Sequence, residues 1–301
     1  MKKTVYVLVI SALVFFLASC SSTNPRYINS PAVYNAVFFR EKGDLKLTGA
    51  FAANPDDLFN NPDLDSNQRH TIDRNLGFDV QAAYAVTDHF LIQAAGMRRF
   101  EKDLYNNDDL MDGNKGSKIS YTRSMIEVGA GFYTEMGGSG KVYFNGVLGA
   151  GFGSSKSTDT GTPTERRHYF DFDFIKYHLT PSFNFFFTEN ARLSVAPQFS
   201  LLTSNNIRTS YSEEEQSMLG YTSMKNKGRV FFEPSLLFQA GFPGISWMKL
   251  DVGAHFATNP LAASTHEDSP PAVYENREVR SRRFLLSLGL SFYPFEGKRM
   301  R

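Results

Sequence analysis

Between Leu76 and Met97 the chain alternates with a period of two, twice over, around a three-residue polar break. Phe78, Val80, Ala82, Tyr84 and Val86 fall on one face, and Asp79, Gln81, Ala83 and Ala85 on the other. A period of two belongs to a β-strand whose two faces meet different surroundings. After Thr87-Asp88-His89 the alternation resumes, with Phe90, Ile92 and Ala94 opposed by Leu91, Gln93 and Ala95. The stretch therefore predicts a hairpin with a very short turn. One face is aromatic and aliphatic, while the other mixes small with polar side chains, which suits a wall between lipid and a polar interior. A soluble β-sandwich is the alternative that such a pattern allows.

The same pattern recurs along the chain. Strands are predicted at 44–53, 76–86, 90–99, 121–134, 142–152, 169–187, 192–202, 229–240, 247–257 and 283–295. Ten segments of this length fit tilted membrane strands. The connections at 54–75, 100–120, 153–168, 203–228 and 258–282 are long and polar, whereas 87–89, 135–141, 188–191 and 241–246 are short. Outer-membrane barrels pair long outer loops with short periplasmic turns in this way. The predicted fold is all-β: a transmembrane antiparallel up-and-down barrel of about ten strands, spanning residues 44–301. In the sixth segment the aromatics sit on even positions at Phe170, Phe172 and Phe174 but on odd ones at Tyr177, Phe183 and Phe185. A bulge near Phe174 and Ile175 would reconcile the two halves. Aromatic pairs at strand ends, such as Phe144 with Phe152 and Trp247 with Phe256, predict two girdles around an apolar band.

The N-terminus has a different character. Lys2 and Lys3 precede an apolar run from Val5 to Leu17, the layout of a secretion signal, and residues 1–19 are assigned to it. The run closes on Leu17-Ala18-Ser19-Cys20, which resembles the bacterial lipobox. That resemblance implies cleavage before Cys20, with diacylglycerol on its thiol and an acyl chain on its new amino group. Cys20 is the sole cysteine of the chain, so no disulfide forms within a monomer. Ser21 in place of an aspartate implies export to the outer membrane of a Gram-negative bacterium. Residues 20–43 then read as a lipidated periplasmic connector: a tether, a lumen plug or a partner-binding segment. An even strand number agrees with an N-terminus and a C-terminus that both lie in the periplasm.

Charge excludes one partner class. There are 32 basic and 31 acidic residues, a formal charge of +1, so no surface for nucleic acid is implied. The expected partners are outer-membrane lipids and a periplasmic or envelope protein, with the barrel itself monomeric.

Phe39-Arg40-Glu41-Lys42-Gly43-Asp44-Leu45, followed by Gln81-Ala82-Ala83-Tyr84-Ala85-Val86-Thr87-Asp88, carries a further resemblance. It looks like a group of outer-membrane β-barrel lipoproteins with an E-K-G-D/E lead-in to the first strand and a Q-x-A-Y-A-x-T-D/E first turn. The match covers the N-terminal third well and the remainder as architecture. It implies a fold and a location, and no reaction.

Strand parity sends a set of charges into the lumen: Asp79, Arg99, Arg123, Glu127, Asp171, Asp173, Lys176, Glu233, Lys249 and Asp251, with Lys46, Arg229 and Arg283 beside them. The signs nearly cancel, and buried charges require partners, so a salt-bridge network filling the lumen is expected. The sharper alternative is an acid polarising a histidine, from Asp171, Asp173 and His178 or from Asp251 and His255. No metal site is expected. Asp63-Leu64-Asp65-Ser66-Asn67 begins like a calcium loop, but Gln68 replaces the turn glycine and Arg74 stands where a bidentate glutamate belongs. The sequence thus reads first as a structural, binding or assembly barrel without a wide pore and without enzymatic activity. A small-solute channel comes second, and an outer-membrane hydrolase with a lumen or rim acid–histidine site third.

Overall fold

The computed structural model describes residues 26–54, 70–105, 117–161, 167–225, 228–242, 244–258 and 279–295. A short strand β1 (Arg26–Asn29) precedes the barrel strands β2 (Leu45–Ala53), β3 (His70–Ala85), β4 (Phe90–Tyr105), β5 (Ser117–Glu135) and β6 (Val142–Gly161). There follow β7 (Arg167–Phe186), β8 (Ala191–Thr209), β9 (Arg229–Phe242), β10 (Ile245–Phe256), the short β11 (Val279–Ser281) and β12 (Phe284–Phe292). Ten of these close into one antiparallel barrel, each strand paired with its neighbour in sequence, and β12 pairs with β2 to complete the ring. Closure leaves no edge, so every wall strand has its backbone groups satisfied on both sides, as a bilayer demands.

The predicted alternation holds on the wall. Val80, Ile126 and Leu148 are 64%, 68% and 67% exposed on the outside, while Ala83 and Ser287 are buried on the inside. Aromatic contacts ring the exterior at two heights. Trp247–Phe292 and Phe144–Phe183 lie toward the short turns, and Phe51–Phe78 and Phe256–Phe284 toward the long connections.

Two expectations are corrected. First, β3 to β8 run 16 to 20 residues and extend past their predicted ends on the long-loop side. Beyond the upper girdle the exterior meets water, so the outward positions of β6 become Ser154, Lys156 and Thr158, and the apolar–polar contrast fades while the ladder continues. Second, β7 keeps one parity throughout. Phe170, Phe172 and Phe174 face inward with Lys176 and His178, and the irregularity lies in its pairing with β8, where Asn206 takes a φ of 50°. The aromatic pattern changes because surroundings change: above the membrane the inner face packs on folded loop residues and the outer face is wet.

The 210–228 connection supplies that inner packing. It contains a short helix α1 (Glu213–Met218) with a capping box between Ser212 and Glu215, followed by a 3₁₀ turn at Tyr221–Met224. Tyr221 stacks on Phe170 with ring centroids 3.8 Å apart. The calcium-like stretch 63–67 lies outside the described residues.

Candidate functional site: a lumen filled by the N-terminal segment

Residues 26–39 lie inside the barrel, and Arg40 to Lys42 are exposed at its short-turn mouth. The expected periplasmic connector is therefore a plug over positions 26–39. The chain leaves β2 at the short-turn end through Gly43, whose φ of 87° a side chain would strain, with the Asp44 carboxylate accepting from the Arg40 and Glu41 N–H groups. Lys42 N–H donates to Asp88 at 2.9 Å, and Gly43 N–H to the Ala85 carbonyl at 2.8 Å. The two stretches singled out by resemblance, E-K-G-D and the turn ending Thr87-Asp88, are thus in contact. Together they form the hinge at which the plug meets the wall.

From there the segment climbs the lumen, and wall side chains take its backbone polar groups one after another. Lys46 Nζ donates to the Ala36 carbonyl at 2.7 Å and Asn145 Nδ2 to that of Val37 at 2.8 Å. Asp79 accepts from Val33 N–H at 3.1 Å, Gln81 donates to the Val33 carbonyl at 2.5 Å, and Arg99 donates to that of Pro31 at 3.3 Å. Higher still, Arg123 donates to the Tyr27 carbonyl. An irregular strand in a lumen would otherwise leave these groups orphaned, at about 1–3 kcal/mol each. The apolar side chains Ile28, Val33, Val37, Phe38 and Phe39 are all buried, Phe39 edge-on against Tyr133.

At the long-loop end β1 pairs in parallel with β11, Arg26 opposite Val279. Arg282 caps this pair. Its guanidinium binds Asp103 with two 2.8 Å contacts, reaches Glu101 at 3.3 Å and lies 3.9 Å over the Tyr27 ring. Burial disfavours the charged form of Arg282 most strongly of any single cause, but the charge and hydrogen bonds of Asp103, with Tyr27 and Tyr121, together leave the guanidinium pKa above its ordinary value. Arg26 bridges to Asp159 at 3.4 Å, on the upper part of β6.

Most of the expected lumen charges do sit inside, with partners. Asp79 pairs with Arg99 at 2.5 Å, Lys176 with Glu233 at 2.7 Å, and Glu127 meets His178 at 3.1 Å. Asp251 accepts from Gln239 at 2.8 Å and Ser291 at 2.5 Å, with Lys46 3.9 Å away. Lys249 is buried low in the barrel and donates to the Ser246 carbonyl at 3.1 Å. Asp171 and Asp173 are corrections. They face outward, because the parity of β7 puts Phe170, Phe172 and Phe174 inside. Arg283 is also exposed, and the buried arginine is its neighbour Arg282. Glu101, Asp103, Arg192 and Arg282 were missed. Glu101 and Asp103 continue the inward parity of Met97 and Arg99 on β4, the signal that could have found them, but their stretch is polar enough to read as loop.

Neither acid–histidine set assembles. His178 faces the lumen and Asp171 and Asp173 the exterior. His255 Nδ1 is met by Tyr34 N–H and Ser235 Oγ, and Nε2 by Ser287 Oγ, whereas Asp251 is held by Gln239 and Ser291. Among the described residues no group of three or more His, Cys, Asp or Glu could hold a metal ion. A cavity of about 30 Å³ persists at mid-height beside Glu127, His178 and Gln198, room for one or two waters.

No family model and no curated protein matches the chain. Solved structures with a likeness in fold include the translocator domain of the autotransporter NalP from Neisseria meningitidis, at 9% identity and a TM-score of 0.42, covering 83% of this chain and 88% of that one. The transport unit of the autotransporter AIDA-I from Escherichia coli is similar at 8% identity and 0.44, over 86% and 93%. The outer membrane protein OprG from Pseudomonas aeruginosa is similar at 13% and 0.32, over 84% and 96%. The closed ladder, the exposed apolar belt and the paired aromatic girdles of this chain are those of a transmembrane β-barrel of the outer-membrane type.

Proposed function

We propose that this protein is a lipid-anchored, plugged barrel of the Gram-negative outer membrane, held there through Cys20, that serves as a structural, binding or assembly component and not as an open pore or an enzyme. One observation carries this reading: residues 26–39 occupy the lumen and are bonded to it from Val37 with Asn145 to Tyr27 with Arg123, while Lys42 is tied to Asp88 at the mouth. Ten strands already enclose a lumen near the size that side chains fill. A strand threaded through it takes the space a solute would need. Function then falls to the surfaces at the two mouths, where an envelope protein or lipid meets the protein.

Planar-bilayer recording tests this. The purified protein is expected to give no steady, porin-sized conductance. Large, steady, ion-selective steps would replace this reading with that of a small-solute channel. The lipid is tested separately: Cys20→Ala should lose metabolic acyl label and stay as the uncleaved precursor, and efficient cleavage without lipid would overturn the anchor.

A further inference from the structure

The barrel strands begin at Leu45 and end at Phe292 at the same, short-turn mouth, as an even strand number requires. The N-terminal segment undoes that arrangement. By running up the lumen it brings Arg26 to the opposite mouth, against Asp159 on the upper part of β6 and Val279 beside the long connections. Both chain ends are expected on one side, yet the first described residue, Arg26, stands at the other.

Chain length turns this path into a constraint on the lipid. Each residue of a strand tilted by roughly 40° rises about 2.5 Å along the barrel axis. Asp159 lies seven residues above Phe152 of the upper girdle, about 18 Å, and Phe144 of the lower girdle lies eight residues further down, about 38 Å in all. Six peptide units separate Arg26 from Cys20, and fully extended they span at most about 20 Å. That is comparable to the drop to the upper girdle, which at Phe284 is itself the start of the wall strand β12, and falls well short of the lower one. A route back down the lumen is closed, because the segment itself fills it. Ser21-Ser22-Thr23-Asn24-Pro25 is polar and carries no charged or large apolar side chain.

We infer that the mature chain threads outward through its own barrel and carries the Cys20 lipid at the long-loop mouth, in the outer leaflet of the membrane. This rests on the lipid-anchor reading above and fixes which leaflet the anchor occupies. Diacylglycerol cannot pass a filled lumen, so the barrel must close around a segment that is already in place. Once closed, the plug is held from both ends: by the lipid above, and by Gly43 and its bonds to Ala85 and Asp88 below. The anchored end becomes a cell-surface feature.

Thiol labelling in intact cells tests the path. With Cys20 blocked by its thioether, Thr23→Cys and Asn24→Cys each add a single reactive thiol to the full-length chain. Lys225→Cys, exposed in the 210–228 connection, and Ser139→Cys, exposed in the short β5–β6 turn, report the orientation of the barrel. A membrane-impermeant maleimide should label Thr23→Cys, Asn24→Cys and Lys225→Cys in intact cells, and Ser139→Cys only after the outer membrane is opened. Protection of both N-terminal thiols until opening, with Lys225→Cys labelled throughout, would overturn the threaded path. Labelling of Ser139→Cys and not Lys225→Cys in intact cells would show an inverted barrel and overturn the leaflet assignment. A surface-labelled chain without acyl label would overturn the anchor and support the thread, which keeps the two failures apart.

Discussion

Lys176 Nζ lies 2.7 Å from the Glu233 carboxylate, with both side chains buried in the barrel wall. The same carboxylate accepts from Asn29 of the plug at 2.9 Å and from Ser200 at 2.6 Å. One acid therefore joins three wall strands to the threaded segment. Glu233→Ala strands a buried ammonium and is expected to cost about 3–5 kcal/mol, because the loss of one partner from a buried pair exceeds the net worth of the pair. Replacing both, as Lys176→Met with Glu233→Gln, should cost much less. Urea unfolding in detergent micelles measures the difference, and equal losses in the single and double variants would contradict it.

Outward positions should report depth in the bilayer. Val80→Arg, Leu148→Arg and Leu288→Arg each put a charge in the apolar belt and should lose about 2–4 kcal/mol. Asp171→Asn, outside the belt on the wet part of β7, should stay within about 0.5 kcal/mol of the parent. Heat-modifiable gel mobility and micelle unfolding read both. A severe loss from Asp171→Asn would place that carboxylate back in a buried network.

Glycines on the inner wall make room for the plug-binding side chains. A Cβ at Gly77 would come within 2.2 Å of the Arg98 carbonyl oxygen and 2.7 Å of Arg99 Cδ. The first contact is backbone and cannot swing aside. Gly77→Ala is therefore expected to cost about 1–3 kcal/mol through strain on the strand that aims Arg99 at Pro31 and Asp79. Gly49→Ala, on the outer face of β2 with nothing within 4 Å, is the control for the substitution itself and should be nearly neutral.

The plug's lower end is held by aromatic packing, Phe38 against Phe186 and Phe39 against Tyr133. Phe39→Ala should cost about 3–5 kcal/mol of plug attachment, as for a large side chain deleted from a packed core. The Phe38→Ala, Phe39→Ala double variant is expected to show flickering conductance in planar bilayers while its barrel still shifts mobility on boiling. A double variant as silent as the parent would show that the upper contacts around Arg282 hold the segment on their own.

The barrel was legible in the chain because lipid outside and a packed polar lumen inside impose a contrast on every second residue. Val80 against Asp79, and Leu288 against Ser287, record it directly. The short turns were legible for a similar reason, since Thr87 and Gly43 are local solutions to local geometry. Where the contrast ends, the reading ended: above the upper girdle both faces change solvent, so Glu101 and Asp103 passed for loop and Asp171 and Asp173 for lumen. The path of residues 26–43 was decided only in three dimensions. Apart from Lys46 on Ala36 and Asp44 at the hinge, the segment's backbone is met by Asp79, Gln81, Arg99, Arg123 and Asn145, residues 46 to 108 positions away in sequence. A hydrogen-bonding need met at that separation leaves no local trace. Only the closed barrel brings the donors and acceptors to one axis, and with them Arg26 to the far mouth.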